Sequence, residues 1–320
     1  MDEPIGLVAL ALDAAFGWSE RLYRRVGHPV GAFARIIEWG AERWNRPHRG
    51  VRQRQAGGAM TVALAAGFAV AAGWAAESAV RHVLGPDGWP AIALLAYPAI
   101  AQRSLFDHAR PVLAALNAGD LPQARHAVGM IVGRDTGDLD EGGVSRAAIE
   151  SLAESFCDGV IAPLFWLMLL GLPGVWAFKA ISTADSLIGH REEPWRDFGR
   201  FAARADDIAN FIPARIAGVL ICLAGSGGWQ TMWRDHAKHA SPNAGWPEAS
   251  MAGALGVWLA GPIAYDGAMH AKPAIGAGRD AGPADLRKAI GIFIRACALV
   301  WLTAFRSEEH TSELQSPLDI

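Results

Sequence analysis

The feature that most constrains this chain is a series of apolar runs long enough to cross a bilayer, separated by loops rich in charge. A hydrocarbon core about 30 Å thick takes roughly 20 apolar residues as a helix. Ala56–Ala76 supplies that length without a charge, and Gly159–Ala180 is as long but is interrupted by Gly171-Leu172-Pro173-Gly174. Phe211–Gly227, Ala249–Ala264 and Ala289–Phe305 are further candidates, and Ile5–Trp18 is a weaker one. Trp89–Ala101 is shorter, but Trp89 and Tyr97 place aromatics where a membrane interface favours them. No run shows the period-two alternation of strands. The expected fold is therefore all-α, a polytopic integral membrane protein with about 5–7 membrane segments and polar loops. Composition agrees: 52% hydrophobic residues and 36 glycines leave only 19% charged, against about 25% in soluble domains.

Orientation follows from charge. The loop Ser19–Gln55 carries nine Arg, no Lys and only three acids (Glu20, Glu38, Glu42), so the positive-inside rule puts it in the cytoplasm. The Gly-Leu-Pro-Gly break predicts a broken or re-entrant helix at 159–180, two half-helices joined by a turn. That arrangement returns both flanking polar loops, Gln102–Asp158 and Lys179–Asn210, to the cytoplasmic side. Met1-Asp2-Glu3-Pro4 has acid where a signal peptide needs base, so no cleaved leader is expected. Cys157, Cys222 and Cys297 lie in separate apolar contexts without C-x-x-C, which predicts small buried hydrophobes and neither disulfide nor zinc. A net charge of −3 offers no general attraction to nucleic acid. One membrane-embedded domain is expected over residues 1–305. Residues 306–320, beginning Arg-Ser-Glu-Glu-His-Thr-Ser-Glu-Leu-Gln-Ser, look like a translated sequencing adapter, so they are expected not to be native and the genuine C-terminus to be missing.

Chemistry-bearing residues concentrate in three places. Asp135, Asp138, Asp140 and Glu141 put four carboxylates within seven residues among glycines, either a flexible loop able to hold Mg²⁺ or a solvated turn with capping acids. Ser145 is then the expected cap of a helix on which Arg146, Glu150, Glu154 and Asp158 recur every four residues along one face. Three acids stacked in that way repel one another unless a cation or an amine compensates, the alternative being a solvated acidic face. Lys179 and Asp185 bracket Ala-Ile-Ser-Thr-Ala, and Arg204-Ala-Asp206-Asp207-Ile-Ala-Asn210 follows. Asp206 and Asn210 share a helix face, and Asp207 falls within pairing reach of Arg204. An Asp-Asp-x-x-Asn at a membrane surface suits Mg²⁺ against a phosphate, or helix-end capping. His236 and His239, three apart, lack an evident third metal ligand. No P-loop, nucleophile elbow or dinucleotide fingerprint is present.

Taken in order, several stretches resemble the CobD/CbiB family of cobalamin biosynthesis. They are His-Pro-Val-Gly at 28–31, Val-Gly-Arg-Asp-Thr at 132–136, the run 148–165 beginning Ala-Ile-Glu-Ser-Leu-Ala-Glu-Ser, Phe-Lys-Ala-Ile-Ser-Thr-Ala-Asp-Ser at 178–186 and Ala-Arg-Ala-Asp-Asp-Ile-Ala-Asn-Phe-Ile-Pro-Ala-Arg at 203–215. Ser-Pro-Asn-Ala-Gly-Trp-Pro-Glu-Ala at 241–249, Met-Ala-Gly-Ala-Leu-Gly at 251–256 and Lys-Pro-Ala-Ile-Gly at 272–276 complete the set. Two departures stand out: Ser155 replaces the family's Asn in Ala-Glu-Asn-x-x-Asp-Gly, and Ala274 and Ala277 replace the Trp and Asp of Lys-Pro-Trp-Ile-Gly-Asp.

The resemblance implies a multi-pass enzyme of the cytoplasmic (inner) membrane, its active site facing the cytoplasm. It implies an ATP- and Mg²⁺-dependent amide ligase, joining (R)-1-amino-2-propanol or its O-phosphate to the free propionate of adenosylcobyric acid. Corrinoid and aminopropanol (phosphate) are then the small-molecule partners, beside the lipid bilayer and other late cobalamin-pathway membrane enzymes, with no nucleic acid. Under that reading Glu150, Glu154, Asp158, Lys179 and Asp185 are the candidate catalytic residues, Glu154 or Asp158 serving as base for the amine. His28, Arg134, Arg204, Asn210, Arg215, Ser241, Asn243 and Lys272 are candidates for substrate and phosphate, and Asp135, Asp206 and Asp207 for the metal. A membrane Mg²⁺-dependent prenyl- or phospho-transferase is the first alternative, but a second D-x-x-x-D run is absent. A non-catalytic transporter is the other, and it would want acids deep in the apolar runs rather than at their edges.

Overall fold

A computed structural model describes residues 3–18, 24, 27, 29–133, 135–261 and 273–314, with backbone alone for the strands between 262 and 272 and for the helix beyond Phe305. The architecture is helical, as the apolar run lengths predict. The chain divides into two compact units, residues 1–101 with 162–210 and 304–320, and residues 102–161 with 211–303.

The first unit is built on α1 (Ile5–Phe16), α2 (Val30–Trp44), α3 (Val51–Leu84), α4 (Trp89–Ala96), α8 (Ala162–Ile188) and α9 (Arg200–Ala209). Small residues let α3 approach its neighbours closely. Gly58, Val62, Ala65, Ala69 and Gly73 recur at helical spacing, and a Cβ on Gly58 or Gly73 would strike the backbone of Phe198 or Pro173. Phe33, Ile37, Ala180, Ala184, Phe198 and Ala202 complete that core. The other side of α3 leaves Met60, Leu64, Phe68 and Trp74 42–67% exposed. An apolar exterior over a seam of small residues is the pattern of a helix facing lipid on one side and protein on the other.

The break expected in 159–180 is present. Gly171 takes φ 66°, ψ −153°, outside the helical region, and Pro173 follows it. The halves fold back on each other: Ala162 and Phe178 share one buried cluster with Ala209, and a Cβ on Gly174 would collide with the carbonyl of Trp166. Eight residues of straight helix would hold those groups about 12 Å apart. The N–H of Leu172, freed by the break, donates to Glu77 Oε2 at 3.2 Å. Glu77 also pairs with Arg81, which grips Glu3 through two bonds of 2.8 and 2.9 Å. At the other end of α3, Arg54 pairs with Glu193 and Asp197, and Asn45 donates to the Pro194 carbonyl at 3.0 Å. The loop leaving the hairpin is therefore held to the end of the Arg-rich segment.

The second unit contains α5 (Gln102–Asn117), α6 (Leu121–Gly129), α7 (Glu141–Phe156), a π-turn (Cys157–Ile161), α10 (Phe211–Gly225), α11 (Trp229–Asp235), α12 (Gly245–Leu255) and most of α13 (Pro283–Leu314). Its strands β1 (Trp258–Ala260) and β4 (Ala274–Gly276) pair antiparallel, as do β2 (Ile263–Tyr265) and β3 (Ala268–His270). The run Ala249–Ala264 is thus no membrane helix: Gly256, at φ 67°, ψ 37°, caps α12 and turns the chain into β1.

By length and composition, three helical stretches among the described residues can cross a membrane, within Val51–Asn117, Glu141–Ile188 and Pro283–Phe305. A fourth is added if α9 and α10, broken at Asn210, act as one span. The other apolar runs form α1, of 12 residues, and α4, of 8, each shorter than a crossing. Cys157, Cys222 and Cys297 are each buried, as expected.

Candidate functional site

The acidic helix begins earlier and ends sooner than its spacing implies. Asp140, not Ser145, is the cap, accepting from the Gly143 N–H at 2.7 Å. Ser145 is fully buried and donates to the Glu141 carbonyl. Asp140 reaches the same backbone donors with a carboxylate, which the positive end of the helix favours. The loop before it is not slack: Arg125 Nε donates to the Leu139 carbonyl at 2.6 Å and Thr136 to the Arg125 carbonyl at 3.1 Å. Asp135 lies exposed in that loop, and Arg134 lies outside the described residues.

Arg146, Glu150 and Glu154 do share the face of α7 that the core leaves open. Arg146 stacks 4.1 Å from the Trp258 ring. Glu150 Oε1 accepts the Ala260 N–H at 2.7 Å, holding a residue in the left-handed region at φ 59°. Glu150 thus anchors the end of β1. Glu154 is exposed. Asp158 leaves the i+4 series, because it sits in the π-turn Cys157–Ile161. Insertion of one residue into a helical turn re-aims every side chain after it, and such turns concentrate at functional sites. The π-turn packs against α10.

Asp185, Asp206, Asp207 and Asn210 lie in the first unit, where α9 packs on α8. The shared helix face of Asp206 and Asn210 is real, and it brings them into contact: Asn210, 2% exposed, donates to Asp206 Oδ2 at 3.0 Å. The charge of Asp207 acts on half-buried Asp185, with His190 acting in the opposite sense. Arg204 does not pair with Asp207, despite the spacing. It is exposed and lines a pocket of about 690 Å³ with Phe201, Ile208, Trp166 and Phe178. Lys179 lines a second pocket, of about 210 Å³, with Phe33, Phe68 and Trp176.

The densest polar assembly is in the second unit. Arg215 donates to Asn243 Oδ1 and to the Phe211 carbonyl, both at 2.7 Å. Its guanidinium lies 3.8 Å from the Phe211 ring centre and 4.8 Å from that of Trp246. The His236 ring stacks on Trp246 at 4.0 Å and 20°. Burial and the nearby Arg215 charge push the His236 imidazole below its ordinary pKa. Ser241 Oγ accepts the N–H groups of Asn243 and Ala244, at 3.2 and 3.3 Å, so it caps the entry to α12. Fully buried Asp235 accepts from Arg234, Lys238 and the Gly276 N–H, at 2.8–2.9 Å. The hydrogen bonds from Arg234 hold its carboxyl well below the usual range.

Of the residues singled out in the sequence, His28 and Lys272, like Arg134, lie outside the described residues. Asp235, Glu248 and Trp246 were missed. Trp246 and Glu248 lie inside the Ser-Pro-Asn-Ala-Gly-Trp-Pro-Glu-Ala stretch, but local spacing shows no sign that they would be buried. Among the described residues, no group of three or more His, Cys, Asp or Glu is gathered as a protein-only metal cage needs. A pair of acids such as Asp185 and Asp207 fits the looser demand of Mg²⁺, which takes one or two carboxylates together with substrate phosphates.

The family described as CobD/Cbib protein matches residues 6–293. The chain is 46% identical over 299 residues to "Cobalamin biosynthesis protein CobD" of Rhodobacter capsulatus, covering 91% of this chain and 93% of the relative. It is 43% identical over 305 residues to the protein of that name from Brucella anthropi, covering 92% and 93%. The corresponding Rhizobium meliloti protein is 40% identical over 308 residues, covering 92% and 93%. No solved structure matches the chain.

Proposed function

Since this chain belongs to the CobD/CbiB family of cobalamin biosynthesis, we propose that it is the amide ligase that resemblance implies. The reaction joins the free propionate of adenosylcobyric acid to (R)-1-amino-2-propanol or its O-phosphate, with ATP consumed, at the cytoplasmic face of the inner membrane. The observation that carries this reading is that, within one unit, the π-turn bearing Asp158 packs on the helix of an arginine that has no acid partner among the described residues. Glu154 and Asp158 follow each other along α7 and the π-turn, and that turn packs on the helix carrying Arg215. Arg215 forms no ion pair among the described residues.

The chemistry asks for both kinds of group. A carboxylate is a poor electrophile, so one propionate oxygen attacks the terminal phosphorus of ATP, and ADP leaves. The amine nitrogen then attacks the acyl carbon, phosphate leaves, and the amine's proton passes to Glu154 or Asp158. Mg²⁺, when bound, would offset charge on a transferring phosphoryl group, and Asp135 in the second unit or Asp206 and Asp207 in the first are the acids that would hold it. Arginine's planar fork suits a carboxylate or a phosphate, and Arg204 and Arg215 are the described candidates for it. Membranes carrying the chain, given adenosylcobyric acid, Mg²⁺-ATP and each amine in turn, are expected to yield the amide by mass spectrometry only when ATP is present. Well-inserted protein that makes no amide from either amine would refute the ligase.

A further inference from the structure

We propose that Arg215 and the indole N–H of Trp246 form a subsite for a small oxyanion, a phosphate or a carboxylate group, in the second unit. Two independent observations meet there. Arg215 is partly buried, clamped between the Phe211 and Trp246 rings and oriented by Asn243, and it has no carboxylate partner among the described residues. Trp246 is 6% exposed, and its Nε1 is buried without a hydrogen-bond acceptor. An indole N–H only donates, and leaving one buried and unmet costs the fold free energy. A guanidinium above the same ring brings a cation to that donor.

The neighbours are suited to an anion. Ring stacking against His236 and the edge contact with Trp233, 5.1 Å between centres, hold the indole in place. Asn243 and the Phe211 carbonyl take the two Nη1 bonds and fix the fork, leaving the Nε and Nη2 N–H groups to a ligand. Sulfur, thioether and amine groups cannot satisfy a donor-only pair of this kind as an oxyanion does. The inference rests on the ligase reading only for which molecule bears the anion, since either the propionate or a phosphoryl group qualifies.

The test is binding to the full chain in detergent, so it does not depend on turnover. With tryptophans ¹⁵N-labelled on the indole, the resonance lost in Trp246→Phe identifies Trp246. Inorganic phosphate or acetate is expected to move that resonance saturably. A response to phosphate assigns the subsite to a phosphoryl group, and a response to acetate alone assigns it to the propionate. Arg215→Gln is expected to weaken the titration about 100-fold, and Arg215→Lys, which keeps the charge but loses the fork, about tenfold. Trp246→Phe keeps the ring stack and should reduce anion-dependent thermal stabilisation, with affinity about tenfold weaker. A Trp246 resonance unmoved by both anions in folded protein overturns the subsite. Amide synthesis in that same preparation would show that the ligase reading survives without it.

Discussion

The two units fill their interiors with different emphasis. In the first, close packing comes from Gly58, Ala65, Ala69 and Gly73 on α3, Arg54 and Arg81 meet acids near the ends of that helix, and Asp13 and Asn210 are each 2% exposed. In the second, charged and polar groups go inside: Asp235, Asn243, Glu248 and Asp285 are each at most 5% exposed. Each of these four has partners, and Asp285 receives two bonds from Arg279 at 2.5 and 2.6 Å. A seam of small residues fails when volume is added to it, whereas a buried polar network fails when one of its partners is removed.

Substitutions sharpen that contrast, beginning with catalysis. Glu154→Gln in the second unit and Asp207→Asn in the first are each expected to lower amide formation by about 10³-fold while the protein still reaches the membrane. Retained activity in Asp207→Asn alone would confine the chemistry to the second unit. Gly58→Val should cost about 3 kcal/mol, because its side chain must displace the Phe198 backbone. Thermal unfolding in detergent would read this loss, and an unchanged midpoint would mean that the seam yields. Asp235→Ala should cost about 2–3 kcal/mol, the worth of its charge-assisted bonds once the exposed Arg234 and Lys238 are rehydrated.

Acid should weaken the second unit in two stages. The unfolded chain protonates a histidine near pH 6.5 while folded His236 resists the proton, so stability falls as pH drops below about 6.5. Asp235 has a lowered folded pKa, so its contribution is complete above the unfolded value, about 3.9, and is lost as pH falls through it towards the folded one. Thermal midpoints between pH 7.5 and 5 should flatten in His236→Gln, and an identical slope would put the titration elsewhere. The smallest effect is Arg103→Ala. Its pair with Asp107, with side chains 46% and 44% exposed, should contribute no more than about 0.5 kcal/mol by the same thermal assay.

Much of the scaffold was legible beforehand, because hydrophobic length and helix-breaking residues act locally. Gly171 and Pro173 break their helix whatever surrounds it, and Asp206 meets Asn210 because one helical turn separates them. Where neighbours compete, spacing misled. Ser145 has a capping side chain, but Asp140 caps; Arg204 has an acid three residues away, but it lines an apolar pocket and does not pair with that acid. Asp158 continues a four-residue period that the π-turn then breaks.

By itself, then, the amino-acid order determined the helical class, the apolar runs, the break at Gly171 and the family. Only tertiary structure decided that the broken helix folds back with Ala162 beside Phe178, and that Gly256 turns an apolar run into a strand. It alone set Trp246 beneath Arg215, from residues 31 positions apart. The physical reason is range: backbone propensity and hydrophobic length are carried by adjacent residues, whereas the burial of a donor and the pairing of a charge depend on whatever distant segment packs against them.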